Sequence, residues 1–131
     1  MLEIAPDIFY LRGENNSRFP YCACLYIKGK NRRVLIDAGM GTANLAPLKK
    51  MGIDLLILTH CHIDHRLTRT EIPPEALWCH EKEAIYLQDK AYFYTAIGLK
   101  RGGLDFTGLM KFPLDMIVID IVRQLAHGYH I

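Results

Sequence analysis

The run Leu55-Leu56-Ile57-Leu58-Thr59-His60-Cys61-His62-Ile63-Asp64-His65 decides how this chain folds and what chemistry it can carry. Four large apolar residues without polar alternation predict a strand buried by layers on both sides. The strand stops at Thr59, and three imidazoles and a carboxylate follow at once. Neutral imidazole and carboxylate are good ligands for Zn²⁺ and similar ions, and bond lengths near ~2 Å require them to converge from a compact loop. In an extended or tightly turned segment His60 and His62 project to one side and can share one ion, while Asp64 and His65 can reach a second close by. Two such ions can hold a hydroxide between them, giving a nucleophile near neutral pH. The position just beyond the carboxyl end of a strand is where α/β sheets place ligands. Three of the six histidines in the chain fall within these six residues, which separates them from ordinary surface histidines. Cys61 points to the opposite side and reads as packing.

Upstream, Tyr21 to Lys28 is nearly continuously apolar and reads as a strand. Gly29-Lys30-Asn31 makes a tight reversal into Val34-Leu35-Ile36, which ends at Asp37, so the pair is a hairpin by its turn chemistry. Ile4 to Leu11 reads as a strand with an early break at Pro6, followed by a polar loop from Arg12 to Pro20. After the break at Gly39-Met40-Gly41, Asn44 can cap a helix over Leu45 to Met51, with Pro47 in its first turn and Gly52 at its end. Downstream, Ala76-Leu77-Trp78-Cys79 reads as a short strand. Ala84, Leu87, Ala91 and Tyr94 recur at helical spacing from Glu81 to about Ile97. The glycines from Gly98 to Gly108 mark a loose connection, and Met116 to Val122 reads as a final strand. The group Tyr86, Tyr92, Phe93 and Tyr94 reads as core and helix surface, and His80 as a helix-entry or packing residue.

At 131 residues, with 50% apolar and 23% charged side chains, the chain suits one globular domain, 1–131. Sixteen Lys and Arg against fourteen Asp and Glu leave a net charge of +2, which gives no reason to expect a nucleic-acid partner. The longest apolar runs fall far short of the roughly 20 residues of a membrane span, so no membrane partner is expected. Glu3, Pro6 and Asp7 stand where a secretory signal would have a basic and then an apolar stretch, which points to a cytoplasmic protein. The four cysteines, Cys22, Cys24, Cys61 and Cys79, then read as reduced thiols. Cys22 and Cys24 face one way on an extended chain, as buried small side chains first and as a metal or redox pair second.

Thr59-His60-Cys61-His62-Ile63-Asp64-His65 resembles the HxHxDH motif of the metallo-β-lactamase-like hydrolase superfamily. Leu35-Ile36-Asp37-Ala38-Gly39-Met40-Gly41 is similar to the strand end that precedes it in that family, and Gly52-Ile53-Asp54 to the segment ahead of the motif strand. The resemblance covers residues 1 to 90 well and the remainder loosely. It implies an α/β (α+β) chain with the αββα sandwich of that family, of which the amino-terminal half is expected here. It implies that His60 and His62 bind a first metal and Asp64 and His65 a second, as one or two Zn²⁺ ions, with iron or manganese suited to the same donors. Asp64 would also take part in proton transfer as a catalytic group, and Asp37 would orient the ligands.

The pattern departs from the family in two places. Arg66-Leu67-Thr68 stands where a glycine pair usually follows the motif, so that Arg66 is expected to crowd the second metal or alter ion choice. The later histidines and bridging aspartate of the family have no counterpart; His127 and His130 are the chemical candidates to complete the site, but their flanking residues favour a surface turn instead. The resemblance implies a metal-dependent hydrolase acting on an ester, thioester, amide or phosphoester of a small-molecule substrate through a metal-bound hydroxide, inactive if the site stays unfinished. The competing reading is a non-catalytic, truncated metal-binding or interaction module. In either case half a sandwich exposes an apolar sheet face, and homo-oligomer formation or pairing with a missing carboxyl-terminal half is expected.

Overall fold

The computed structural model describes residues 1–72, 74–98, 100–101, 104–105 and 122–124. The expected strand Met116 to Val122 and the candidate ligands His127 and His130 lie outside these residues, apart from Val122. A seven-stranded sheet has the order β1 (Leu2–Ala5), β2 (Ile8–Leu11), β3 (Cys24–Lys28), β4 (Arg33–Ile36), β5 (Leu55–Leu58), β6 (Ala76–Cys79) and β9 (Val122–Gln124). A separate hairpin pairs β7 (Lys100–Arg101) with β8 (Leu104–Asp105). The first four strands run antiparallel to their neighbours, and β4, β5, β6 and β9 run parallel. The architecture is mixed α/β, as expected from the sequence.

The parallel strands need crossovers. Helix α2 (Leu45–Met51) carries the chain from β4 to β5, the single turn α3 (Ile63–Arg66) lies between β5 and β6, and α4 (Glu81–Gln88) and α5 (Lys90–Ala96) follow β6. Leu45 and Leu48 of α2 and Ala84 and Leu87 of α4 join Leu11, Cys24, Tyr26, Leu35, Leu56, Leu58, Leu77 and Cys79 of the strands in the main core. Alternation along each strand puts those strand residues on one face. The other face carries Leu25, Ile27, Val34, Ile36, Ile57 and Trp78, all half-buried, and it opens into a groove of ≈ 540 Å³. Among the described residues no helix is long and apolar enough to cross a membrane.

Three local readings change. Ile4 to Leu11 is two antiparallel strands, because Pro6 removes a donor and Asp7 takes a left-handed turn (φ 60) that reverses the chain. The periodic stretch from Glu81 to Ile97 is two helices: Asp89 leaves the helical region, and its Oδ1 accepts from the Tyr92 N–H at 2.9 Å to start α5. Asn44 does not cap α2 through its side chain. Its Nδ2 instead donates to the carbonyls of Arg12 and Met40, tying two loops together. Before α2, a turn α1 (Glu14–Ser17) holds Asn15, Asn16 and Ser17 at positive φ, a conformation asparagine tolerates better than most residues.

All four cysteines are buried and unbridged, Cys22 and Cys24 with sulfurs 3.8 Å apart. Cys61 faces the core, where its thiol donates to the Glu83 carbonyl at 3.1 Å.

Candidate metal centre

Asp37 ends β4 and the histidine loop follows β5, so the parallel pairing of these strands brings the two loops together at their carboxyl ends. The Asp37 N–H donates to the Ile57 carbonyl at 2.8 Å, which continues the ladder one residue past the strand. Its φ of 61° then turns the chain, and the loop beyond clasps the histidine loop. Ala38 N–H donates to the His65 carbonyl at 2.7 Å, Thr68 N–H returns to the Ala38 carbonyl at 2.8 Å, and the buried Thr68 hydroxyl donates to that same carbonyl at 2.6 Å. Gly39 fits because it lacks a Cβ, which would collide with the Asp64 carbonyl oxygen and come within 2.8 Å of Cys22 Sγ.

The buried Asp37 carboxylate is the hub of the site. Oδ1 accepts from the Thr59 N–H at 2.9 Å, and Oδ2 accepts from the Thr59 hydroxyl at 2.8 Å and from His65 Nδ1 at 2.8 Å. The Thr59 hydroxyl has one proton, given to Asp37, so it accepts from His60 Nδ1 at 3.0 Å. This network assigns the proton to Nδ1 on both rings and leaves each Nε2 lone pair free. Such outer contacts fix the tautomer and orientation of imidazoles that bind metals.

The rings of His60 and His62 lie 4.7 Å apart between centroids, and those of His60 and His65 3.9 Å apart. Asp64 sits at the edge of the group, its Oδ2 3.7 Å from His65 Nε2. The three imidazoles of the motif therefore lie side by side, with the carboxylate at their edge. Burial lowers the pKa of His60, and the His65 and His62 rings push it the same way, which keeps His60 neutral. Burial also works against charge on His65, but the hydrogen bond and the negative charge of Asp37 outweigh it and raise its pKa.

As donors these residues fit a divalent cation: three imidazole nitrogens and a carboxylate suit zinc and its neighbours. They do not make a finished cage. Among the described residues no group of three or more His, Cys, Asp or Glu side chains is arranged to hold an ion.

Arg66 does not crowd the imidazoles, contrary to the expectation from sequence. Its guanidinium stands 4.4 Å over the Phe93 ring in a second, smaller core with Ile63 and Tyr94. His80 caps α4, its Nδ1 accepting from the Lys82 N–H at 3.2 Å. Thr59 and Glu83 were missed from sequence. Thr59 adjoins the motif and could have been noticed as its first polar residue. Glu83 accepts from the Cys61 N–H at 2.9 Å and steadies the loop from 22 positions away, a contact without a local signal.

The comparisons agree with this geometry. The model of the Metallo-beta-lactamase superfamily matches residues 18–68, a stretch that holds β3, β4, Asp37, β5 and the whole histidine loop. Over that stretch the chain is similar to the superfamily. It is similar, at 44% identity over 48 residues, to the Ribonuclease Z of Clostridioides difficile (strain 630), a match that covers 34% of this chain and 16% of that protein's length. No solved structure matches.

Proposed function

We propose that this chain supplies the metal-binding end of a metal-dependent hydrolase. The observation that carries the reading is the pair of histidines, His60 and His65, whose Nδ1 atoms are engaged by Thr59 and Asp37 while both Nε2 atoms stay free beside His62. His60, His62, Asp64 and His65 would hold one or two ions, zinc in the first place. A divalent cation bound there lowers the pKa of water and stabilises negative charge that develops on the substrate. Asp37 sets the angle of His65, and Thr59 that of His60. Asp64 Oδ2, half-buried beside His65 Nε2, is the group placed to hold a proton during turnover.

Among esters, thioesters, amides and phosphoesters, the phosphodiester is favoured by the likeness to a protein named Ribonuclease Z. This moves RNA ahead of where the near-neutral charge alone would place it. The free thiols at Cys22 and Cys24 suit a reducing compartment such as the cytoplasm. The open sheet face, with Ile27, Val34, Ile36, Ile57 and Trp78 along its groove, is where a second copy of the chain would pack.

The test is metal content after purification without chelator, followed by hydrolysis of bis(p-nitrophenyl) phosphate and of a short RNA. About one or more zinc ions per chain, lost in a His60→Ala/His62→Ala protein together with phosphodiester cleavage, is the expected result. Metal bound without turnover on any ester class would make the chain a non-catalytic module. No metal at all would end the reading.

A further inference from the structure

The three imidazoles of the motif are not held by the same means. Asp37 fixes His65 through Nδ1, and Thr59 fixes His60 through Nδ1, each partner standing at the carboxyl end of a strand, β4 or β5. His62 is exposed, and among the described residues no hydrogen bond reaches either of its ring nitrogens. Its place is therefore decided by the main chain that carries it. A ligand without an outer contact of its own is only as well placed as its backbone.

The residues on either side of His62 supply that hold, and both take it from the helices after β6. Cys61 is buried and gripped twice by Glu83 of α4: its N–H donates to Glu83 Oε2 at 2.9 Å and its thiol to the Glu83 carbonyl at 3.1 Å. Ile63 is buried with Phe93 and Tyr94 of α5. Glu83 is the third residue of α4, where in a capping box a glutamate turns back to the N–H of the capping residue. Here Glu83 directs Oε2 to the loop instead, and His80 caps the helix with Nδ1. Without Glu83 the Cys61 N–H, partly buried, loses its acceptor, and the peptide before His62 is free to turn.

We propose that Glu83 is a positioning residue for His62: by holding the Cys61 N–H it fixes the one imidazole of the three that has no hydrogen bond of its own. His60 and His65 answer to the sheet, through Thr59 and Asp37, whereas His62 answers to the helices α4 and α5. The bond calls for an acceptor of the right reach and not for a negative charge. This role deepens the hydrolase reading and rests on it only for the ion that His62 would bind. The place of the ring is measured without metal or turnover, so the two can fail separately.

The experiment compares Glu83→Ala, Glu83→Gln and Glu83→Asp in the full chain. Histidine ring signals are recorded by NMR on chelator-treated protein, assigned with His60→Gln, His62→Gln and His65→Gln, and zinc affinity is then measured by calorimetry. In wild type the His60 ring, edge-on at 4.7 Å, displaces the His62 ring signals. Glu83→Ala moves the His62 signals towards those of free histidine, leaves those of His65 in place and weakens zinc binding about tenfold. Glu83→Gln, whose amide oxygen accepts the same N–H, matches wild type in both measurements. Glu83→Asp keeps the charge in the first turn of α4 but is a methylene short of the loop, and it behaves as Glu83→Ala does. His62 signals that stay put in Glu83→Ala, or that move together with those of His65, would overturn the proposal. So would a Glu83→Gln protein as impaired as Glu83→Ala, or a Glu83→Asp protein equal to wild type, since the charge at the helix end would then be the cause. If Glu83→Ala does not fold, Glu83→Gln and Glu83→Asp decide the matter between them. A wild type that binds no zinc, with His62 signals that follow the variants as stated, would defeat the hydrolase reading and leave Glu83 in its role.

Discussion

On one face of the central sheet, Leu35, Leu56 and Leu77 are shut away in the main core with α2 and α4. On the other, Ile36, Ile57 and Trp78 of the same three strands are half-buried along an open groove. Residue type does not distinguish the two faces. What distinguishes them is which one the crossover helices cover, and so the same apolar side chain stabilises the fold on one face and offers a contact surface on the other.

The sharpest way to test this asymmetry is truncation on matched positions. Leu56→Ala is expected to cost about 2–5 kcal/mol, since it opens a cavity in the closed core. Ile57→Ala, one residue on, is expected to cost about 1 kcal/mol or less, because that side chain already meets solvent in part. Urea unfolding of the two variants checks it, and equal losses would mean that the open face is covered in solution.

A smaller effect is expected where the covered face ends, at the loops that carry the site. Asp37→Ala leaves the Thr59 N–H and His65 Nδ1 without their acceptor and is expected to cost about 1–3 kcal/mol. It should also weaken zinc binding about 10–100-fold, by releasing the ring that Asp37 orients. Calorimetric zinc titration beside thermal unfolding separates the two. Unchanged zinc affinity would leave Asp37 a purely structural group.

The smallest effect lies at the opposite, amino-terminal ends of the parallel strands. There Arg33 pairs with Asp54 through its guanidinium and also donates from its backbone N–H at 2.6 Å. The hydrogen bonds from Arg33 lower the Asp54 pKa from 3.8 to about 2. A depressed carboxylate pKa adds stability that is present above 3.8 and lost as the pH falls through about 2. Asp54→Asn should therefore flatten the acid limb of the stability curve in that window and leave it unchanged at neutral pH relative to higher pH. Because the Arg33 side chain is exposed, salt should reduce the effect.

Much of this was legible in the residues. The unbroken run Leu55 to Leu58 reads as a buried strand because only a strand covered on both faces dispenses with polar alternation. The hairpin around Gly29 to Asn31 follows from turn chemistry, and the crowding of three histidines behind a strand marks the chemical centre. Asp37 could be singled out only because its strand end resembles a familiar one. What could not be read was anything that depends on a distant partner. Asp89 splits a helix whose periodicity runs straight through it, because a side-chain cap competes locally with continuation. Arg66 looked like an obstacle to metal binding by its place in the motif, yet a long side chain is directed by what lies beside it, here Phe93.

The sequence by itself determined the strands, the order of the elements and the donors, since periodicity, turn residues and ligand chemistry are local properties. Only the tertiary structure decided which ring nitrogen is free, which sheet face is open and where Arg66 points. Those are set by groups 20 or more positions apart, such as Asp37 and His65, and hydrogen bonding at that range exists only once the strands have paired.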